Sequence, residues 1–168
     1  MSWFRDRRGW LLALSALIIA LDRWTKHWVS HHIAEGDMIV VIPKVFGISH
    51  VQNPGAAFSI FTNSADPNRT RWLLTAFSIL AAVIVLVILL RIGRKVSVTA
   101  VALALVLGGA IGNAWDRIAY GTVVDFLQVH IVHYHWPDFN VADSSIVIGG
   151  ILLLIDSLRP RRDESQSE

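Results

Sequence analysis

Asp125 and Asp143 are the residues of this chain best placed to do chemistry. They stand 18 positions apart, in Gly121-Thr-Val-Val-Asp-Phe-Leu and in Phe139-Asn-Val-Ala-Asp-Ser. One follows a long apolar segment and the other heads the next. A carboxylate this close to hydrocarbon is expensive unless it is paired or hydrated. Two brought into contact range cannot both ionise easily, so one keeps its proton near neutral pH. The ionised member can then take a proton from water, while the protonated one polarises a carbonyl or protonates a leaving amine. Such a pair hydrolyses a peptide bond without metal, cofactor or covalent intermediate. Spacing alone leaves a plainer reading open: two unrelated interfacial acids, each solvated or held in a structural charge pair.

Other polar residues gather at the same depth. Asn113, Asp116 and Arg117 stand at i, i+3 and i+4, which places them on one helix face. Asn140 precedes Asp143 by three, a capping position. Asn53 sits in the turn Asn53-Pro54-Gly55. Asparagine side chains suit a substrate backbone, and Arg117 suits an anion or a carbonyl. Helix capping and an Asp116–Arg117 ion pair are the plainer alternatives. Asp22 lies twelve residues past Trp10, about 18 Å along a helix. Lys26 stands one turn further on, so a structural ion pair supporting the site is expected there. Asp156 is expected to pair with Arg159. His130, His133 and His135 with Asp138 raise the question of a metal. Their spacing fits no zinc signature, and the segment reads as an exposed aromatic loop. Neither metal nor haem is expected.

The elements that must position these residues are apolar. The chain has 168 residues, of which 54% are hydrophobic and only 17% charged, against roughly 25% charged in a soluble domain. Mean hydropathy is +0.51, and the apolar residues fall in long runs, which marks an integral membrane protein forming one domain over 1–168. There is no cysteine, so disulfides, thiolate metal sites and cysteine nucleophiles are excluded. The net charge of +2 comes with basic residues at segment ends, which speaks for membrane topology and not for nucleic acid.

Arg5, Arg7 and Arg8 followed by Gly9–Leu21 resemble a secretory signal peptide. No small-x-small site follows, and the run leads into Asp22-Arg-Trp-Thr-Lys, so a retained first span over about 10–30 is expected. Further spans are expected over about 70–91, 96–117 and 141–158, giving an all-α membrane protein of four transmembrane helices. Gly108 with Gly112, and Ser145 with Gly149, form small-xxx-small pairs that let helices approach closely. The segment 36–62 reads as three short strands, Met38–Ile42, Val45–Gln52 and Ala56–Phe61, which form a small antiparallel sheet on the outer face. Residues 118–140 read as an outer connection rich in aromatics and histidine. Basic clusters in 1–8, 91–95 and 159–162 put both termini in the cytoplasm, against the minor contrary signal of Arg69 and Arg71. Both aspartates then face outward.

Four blocks carry a family resemblance: Asn53-Pro-Gly-Ala-Ala-Phe58, Gly109-Ala-Ile-Gly-Asn-Ala-Trp-Asp-Arg117, Val123-Val-Asp-Phe126 and Phe139-Asn-Val-Ala-Asp-Ser144. In order and spacing the chain resembles bacterial lipoprotein signal peptidase, signal peptidase II, over about residues 10–158. The resemblance implies an aspartyl endopeptidase of the bacterial inner membrane, multi-pass, with its active site at the periplasmic face. It would remove the signal peptide from diacylglyceryl-modified prolipoproteins, cutting before the lipidated cysteine. Asp125 and Asp143 match the catalytic dyad. Asn53, Gly55, Asn113, Arg117 and Asn140 match pocket residues, and Asp22 and Asp116 match supporting positions. The outer sheet would be a cradle for the substrate, and the pocket would be the family's globomycin target. The partners implied are prolipoprotein substrates and membrane lipids, with no cofactor, no nucleic acid and a monomeric state. The rival from the residues alone is a non-enzymatic four-helix transporter or assembly subunit using Asp22, Asp116 and Arg117 as a polar path. A metallopeptidase stands behind both.

Overall fold

The structure, a computed structural model, describes residues 6–54, 66–131 and 134–159. Four helices and four strands follow in the order α1 (Arg8–His32), β1 (Met38–Ile42), β2 (Phe46–Asn53), α2 (Pro67–Ile92), α3 (Val98–Ala119), β3 (Val123–Ile131), β4 (Tyr134–Phe139) and α4 (Val141–Ser157). Local chemistry sets the helix starts. Asp66 caps α2 through the Arg69 N–H, with Pro67 in the first turn, where its missing N–H costs nothing. The Ser97 hydroxyl accepts from the Ala100 N–H at the head of α3. Asn140 and Asp143 form a reciprocal capping box at the head of α4.

α3 is the central helix and carries more buried residues than any other element, with Ala100, Ala102, Leu103, Ala104, Leu107 and Gly109 among them. Its small side chains let its neighbours come close, as the sequence spacing predicts. A Cβ on Gly109 would lie 2.4 Å from the Ala142 carbonyl oxygen of α4, and one on Gly112 would lie 2.9 Å from a carboxylate oxygen of Asp22 on α1. The Ser15 hydroxyl of α1 donates to the Ala104 carbonyl at 2.8 Å. α2, by contrast, exposes Leu73, Phe77, Leu80, Val83 and Ile84. Such a surface is at ease in hydrocarbon and not in water. α2 and α3 are long and apolar enough to cross a membrane. Arg71 explains the contrary charge at the start of α2: its guanidinium donates to the Arg117 and Ile118 carbonyls at 2.6 and 3.0 Å, and so caps the end of α3.

The sheet differs from the sequence expectation. It is antiparallel in the order β1-β2-β3-β4, and two of its strands come from the outer connection 118–140, where no strand is expected from the sequence. The expected third strand at 56–61 lies outside the described residues. Irregularities in its two neighbours flank β3, and the one in β4 hides that strand's alternation. From Ile48↔Leu127 to Val51↔Asp125, β2 carries one residue more than β3. From Leu127↔Phe139 to Val129↔Trp136, β4 carries one residue more than β3. Each bulge shifts the side-chain period by one, and Pro137 inside β4 argues further against a strand.

Candidate active site

Five elements, β4 among them, line one cavity of about 430 Å³. β3 supplies Asp125, the end of β2 supplies Asn53, α3 supplies Asn113 and Arg117, and the first turn of α4 supplies Asp143. The rest of the lining is largely apolar, with Val123, Trp136 and Phe139 from the sheet and Ile146 and Val147 from α4. Asp125 is therefore a strand residue, not a residue at a helix end. The bulge on β2 falls at Ser49 and His50, next to its pairing with Asp125. Bulges of this kind re-aim side chains beside functional sites.

The two carboxylates share a partner. The Asn140 side-chain amide donates to Asp125 Oδ1 at 2.7 Å, its Oδ1 accepts from the Asp143 N–H at 2.9 Å, and its own N–H donates to Asp143 Oδ2 at 3.3 Å. Asn53 Nδ2 holds the other oxygen of Asp125 at 2.7 Å, and Asn113 Nδ2 holds Asp143 Oδ1 at 2.7 Å. Three asparagines thus fix the orientation of both acids. Asn140 is fully buried behind the cavity. Burial, and next the negative charge of Asp143, push the Asp125 carboxyl from the ordinary 3.8 up to about 7; the bonds from Asn53 and Asn140 work in the opposite direction.

Behind this layer lies a buried ionic cluster. Lys26 Nζ reaches Asp22 Oδ2 at 2.8 Å, Asp116 Oδ2 at 2.7 Å and Asn113 Oδ1 at 3.2 Å. Arg23 pairs with the other oxygen of Asp116 and donates to the Tyr120 hydroxyl at 3.2 Å. Asp22 Oδ1 accepts from the Ala142 N–H at 3.0 Å, in the first turn of α4. Lys26 therefore ties α1 to Asn113, and through it to Asp143. Arg117 donates to the Asn113 carbonyl at 3.3 Å, and its charge acts on Asp143, Asp125 and Asp116.

The expected residues fall into three groups. Asn53, Asn113, Arg117, Asp125 and Asp143 line the cavity, with Asn140 bridging from behind. Asp22 and Asp116 do not line it; they belong to the Lys26 cluster. Gly55 lies outside the described residues. The expected Asp22–Lys26 pair is present. The alternative Asp116–Arg117 pair is not what forms: neighbours on a helix diverge by about 100°, and Asp116 turns to Lys26 and Arg23 while Arg117 turns to the cavity. Asp156 lies 3.7 Å from Arg159 as expected. Arg23 and the β4 wall, Trp136 to Phe139, were not anticipated. The only sequence signal for Arg23 was its position beside Asp22, one turn from Lys26. Among the described residues, no three His, Cys, Asp or Glu side chains are grouped to hold a metal. His135 instead stacks on His130 and contacts Asp138.

The family model for signal peptidase (SPase) II matches residues 14–159. A lipoprotein signal peptidase from Pseudomonas putida is 42% identical over 159 residues, covering 94% of this chain and 91% of its own length. One from Solibacter usitatus is 43% identical over 157 residues, covering 94% and 95%. One from Alteromonas mediterranea is 40% identical over 156 residues, covering 93% and 84%. Two solved bacterial membrane enzymes superpose with TM-scores of 0.77 and 0.73, each at 30% identity; they cover 98% and 94% of this chain and 96% and 97% of their own.

Proposed function

Since the chain belongs to the signal peptidase II family, a family of membrane peptidases that remove signal peptides from prolipoproteins, we propose that Asp125 and Asp143 are its catalytic pair. The observation that carries this is the shared Asn140, which holds one oxygen of each carboxyl in a single cavity while Asp125 keeps its proton up to about 7.

In this mechanism Asp143 accepts a proton from a water molecule as the water oxygen attacks the scissile carbonyl carbon. Asp125 donates its proton, first polarising the carbonyl oxygen and then completing the leaving amine as the C–N bond breaks. One water is consumed, and a carboxyl and an amine are released. The asparagines cost no reorganisation at the moment of reaction, because each is already held by the fold. Arg117 faces the charge that develops on the substrate carbonyl.

The substrate is a prolipoprotein whose cysteine carries a diacylglyceryl group, and the cut falls before that cysteine. Its lipid lies along the apolar wall of Ile146 and Val147 on α4, while the polar end of the cavity takes the peptide. The four helices span the inner membrane with both termini in the cytoplasm, so the cavity sits at the periplasmic boundary, under the sheet. One chain carries every residue named, so a monomer suffices.

The test uses purified protein and a diacylglyceryl-modified prolipoprotein, with and without chelator. Asp125→Asn and Asp143→Asn should insert normally and lose cleavage, and the wild type should cut before the cysteine in both conditions. Normal cleavage by either variant would refute the dyad.

A further inference from the structure

Two of the sheet's bulges lie on the two strands that flank β3. That of β2 holds Ser49 and His50, and that of β4 holds Pro137 and Asp138. They are joined by a side-chain bond over β3: the Ser49 hydroxyl donates to Asp138 Oδ2 at 2.6 Å. The other carboxylate oxygen, Asp138 Oδ1, lies 3.1 Å from His135 Nε2 on the same strand. Ser49 is buried, and its neighbour His50 donates from Nδ1 to the Ile33 carbonyl at 2.8 Å, just past the end of α1. The β2 bulge is thus anchored to a helix, and Asp138 is anchored to the bulge.

The placement matters because the β4 bulge is also cavity wall. Trp136, Pro137, Asp138 and Phe139 all line the cavity. β4 is an edge strand, and Pro137 has no N–H to donate, so the backbone ladder is interrupted where the wall must hold its shape. A short charge-assisted hydrogen bond at that point replaces what the ladder lacks.

We propose that Ser49 and Asp138 form a latch that clamps the two bulges across β3 and so fixes the β4 wall against which the substrate binds. Asp138 is then a positioning residue for binding. The proposal rests on the reading of this cavity as the peptidase site.

Two measurements on the full-length protein in detergent test it: hydrogen exchange of the β4 amides, and kcat and KM for a diacylglyceryl-modified prolipoprotein. Ser49→Ala and Asp138→Ala should each speed exchange in β4 and raise KM about tenfold, the scale of one buried charge-assisted hydrogen bond. Their kcat should stay within about twofold, since the lost interaction is uniform binding. The double variant should be no worse than either single, and Asp138→Asn, whose carbonyl still accepts from Ser49, should recover most of the loss. Unchanged β4 exchange in both single variants, or effects that add fully in the double variant, would overturn the latch. A wild type that cleaves nothing would instead overturn the peptidase reading, and the exchange measurement would still decide on the latch.

Discussion

Asp125→Asn should remove a pH dependence from the stability of the fold as well as the activity. The Asp125 carboxyl is buried to 3% exposure and moves from an ordinary 3.8 to about 7 on folding. The folded state therefore keeps a proton that the unfolded chain gives up. The associated stability is fully present below about 3.8 and is lost as the pH rises through about 7. Between pH 5 and pH 8 the loss is roughly 2–3 kcal/mol. For a chain of this size that corresponds to about 5–10 °C in Tm. Asparagine has no proton to lose. It meets donors from Asn53 and Asn140 on both sides, so one of those bonds is given up at every pH, at a cost of about 1–3 kcal/mol. The comparison that isolates the proton is the change in Tm from pH 5 to pH 8 in detergent, wild type against variant, because other titrating groups contribute to both. The wild type should lose several degrees more than Asp125→Asn. Parallel curves would show that Asp125 is not held protonated by the fold, and the acid role assigned to it would fail with that result.

Cleavage itself should fall as the pH rises through about 7, because the proton that Asp125 donates is then gone; a rate still rising at pH 8 would assign the acid elsewhere. Lys26→Met leaves Asp22 and Asp116 buried without their shared cation, and should cost about 3–5 kcal/mol in denaturant unfolding. Removing Asp22 as well, in Asp22→Asn with Lys26→Met, should recover part of that loss. Gly109→Ala sets a methyl 2.4 Å from the Ala142 carbonyl, and should lower stability by about 1–3 kcal/mol through displacement of α4. Gly150→Ala, with open space around it, is the control and should leave Tm within a degree or so of wild type, about the spread of neutral surface changes.

The helices were legible because their signals are local. Apolar runs, basic ends and the cap at Asn140 need only a short window of sequence, and the observed helix bounds fall close to those expected. The small residues of α3 were legible for the same reason: Gly108 and Gly112 announce a close approach without naming the partner helix. The sheet was half legible. β1 and β2 are β-branched and bounded by turns, but β3 and β4 carry Asp125, His130, Asp138 and Pro137, and a bulge breaks the alternation of β4. Long-range pairing such as Val51↔Asp125 has no local signature. The site followed the same division. Residue types and the i, i+3, i+4 rule found Asn113 and Arg117, but the same rule grouped Asp116 with them wrongly. Spacing cannot tell which of two adjacent helical residues faces a cavity and which faces a neighbouring helix.

The buried charges can be understood as one system. Placing Asp22, Lys26, Asp116 and Asn113 in the interior costs desolvation that well-packed apolar residues would avoid. What the arrangement secures is direction. Lys26 donates to Asn113 Oδ1, which leaves the Asn113 amide nitrogen as the donor to Asp143. Asp22 accepts from the first turn of α4, which sets the helix end from which Asp143 and Asn140 project. An asparagine free to flip would present either its oxygen or its nitrogen to a carboxylate; one held by a cation presents only the nitrogen. In the proposed mechanism, a base and an acid arise from two identical side chains because their surroundings differ: one is on a strand under burial, the other at a helix N-terminus held by Asn113 and Asn140. On that proposal, the stability given up in the interior is what keeps the two roles apart.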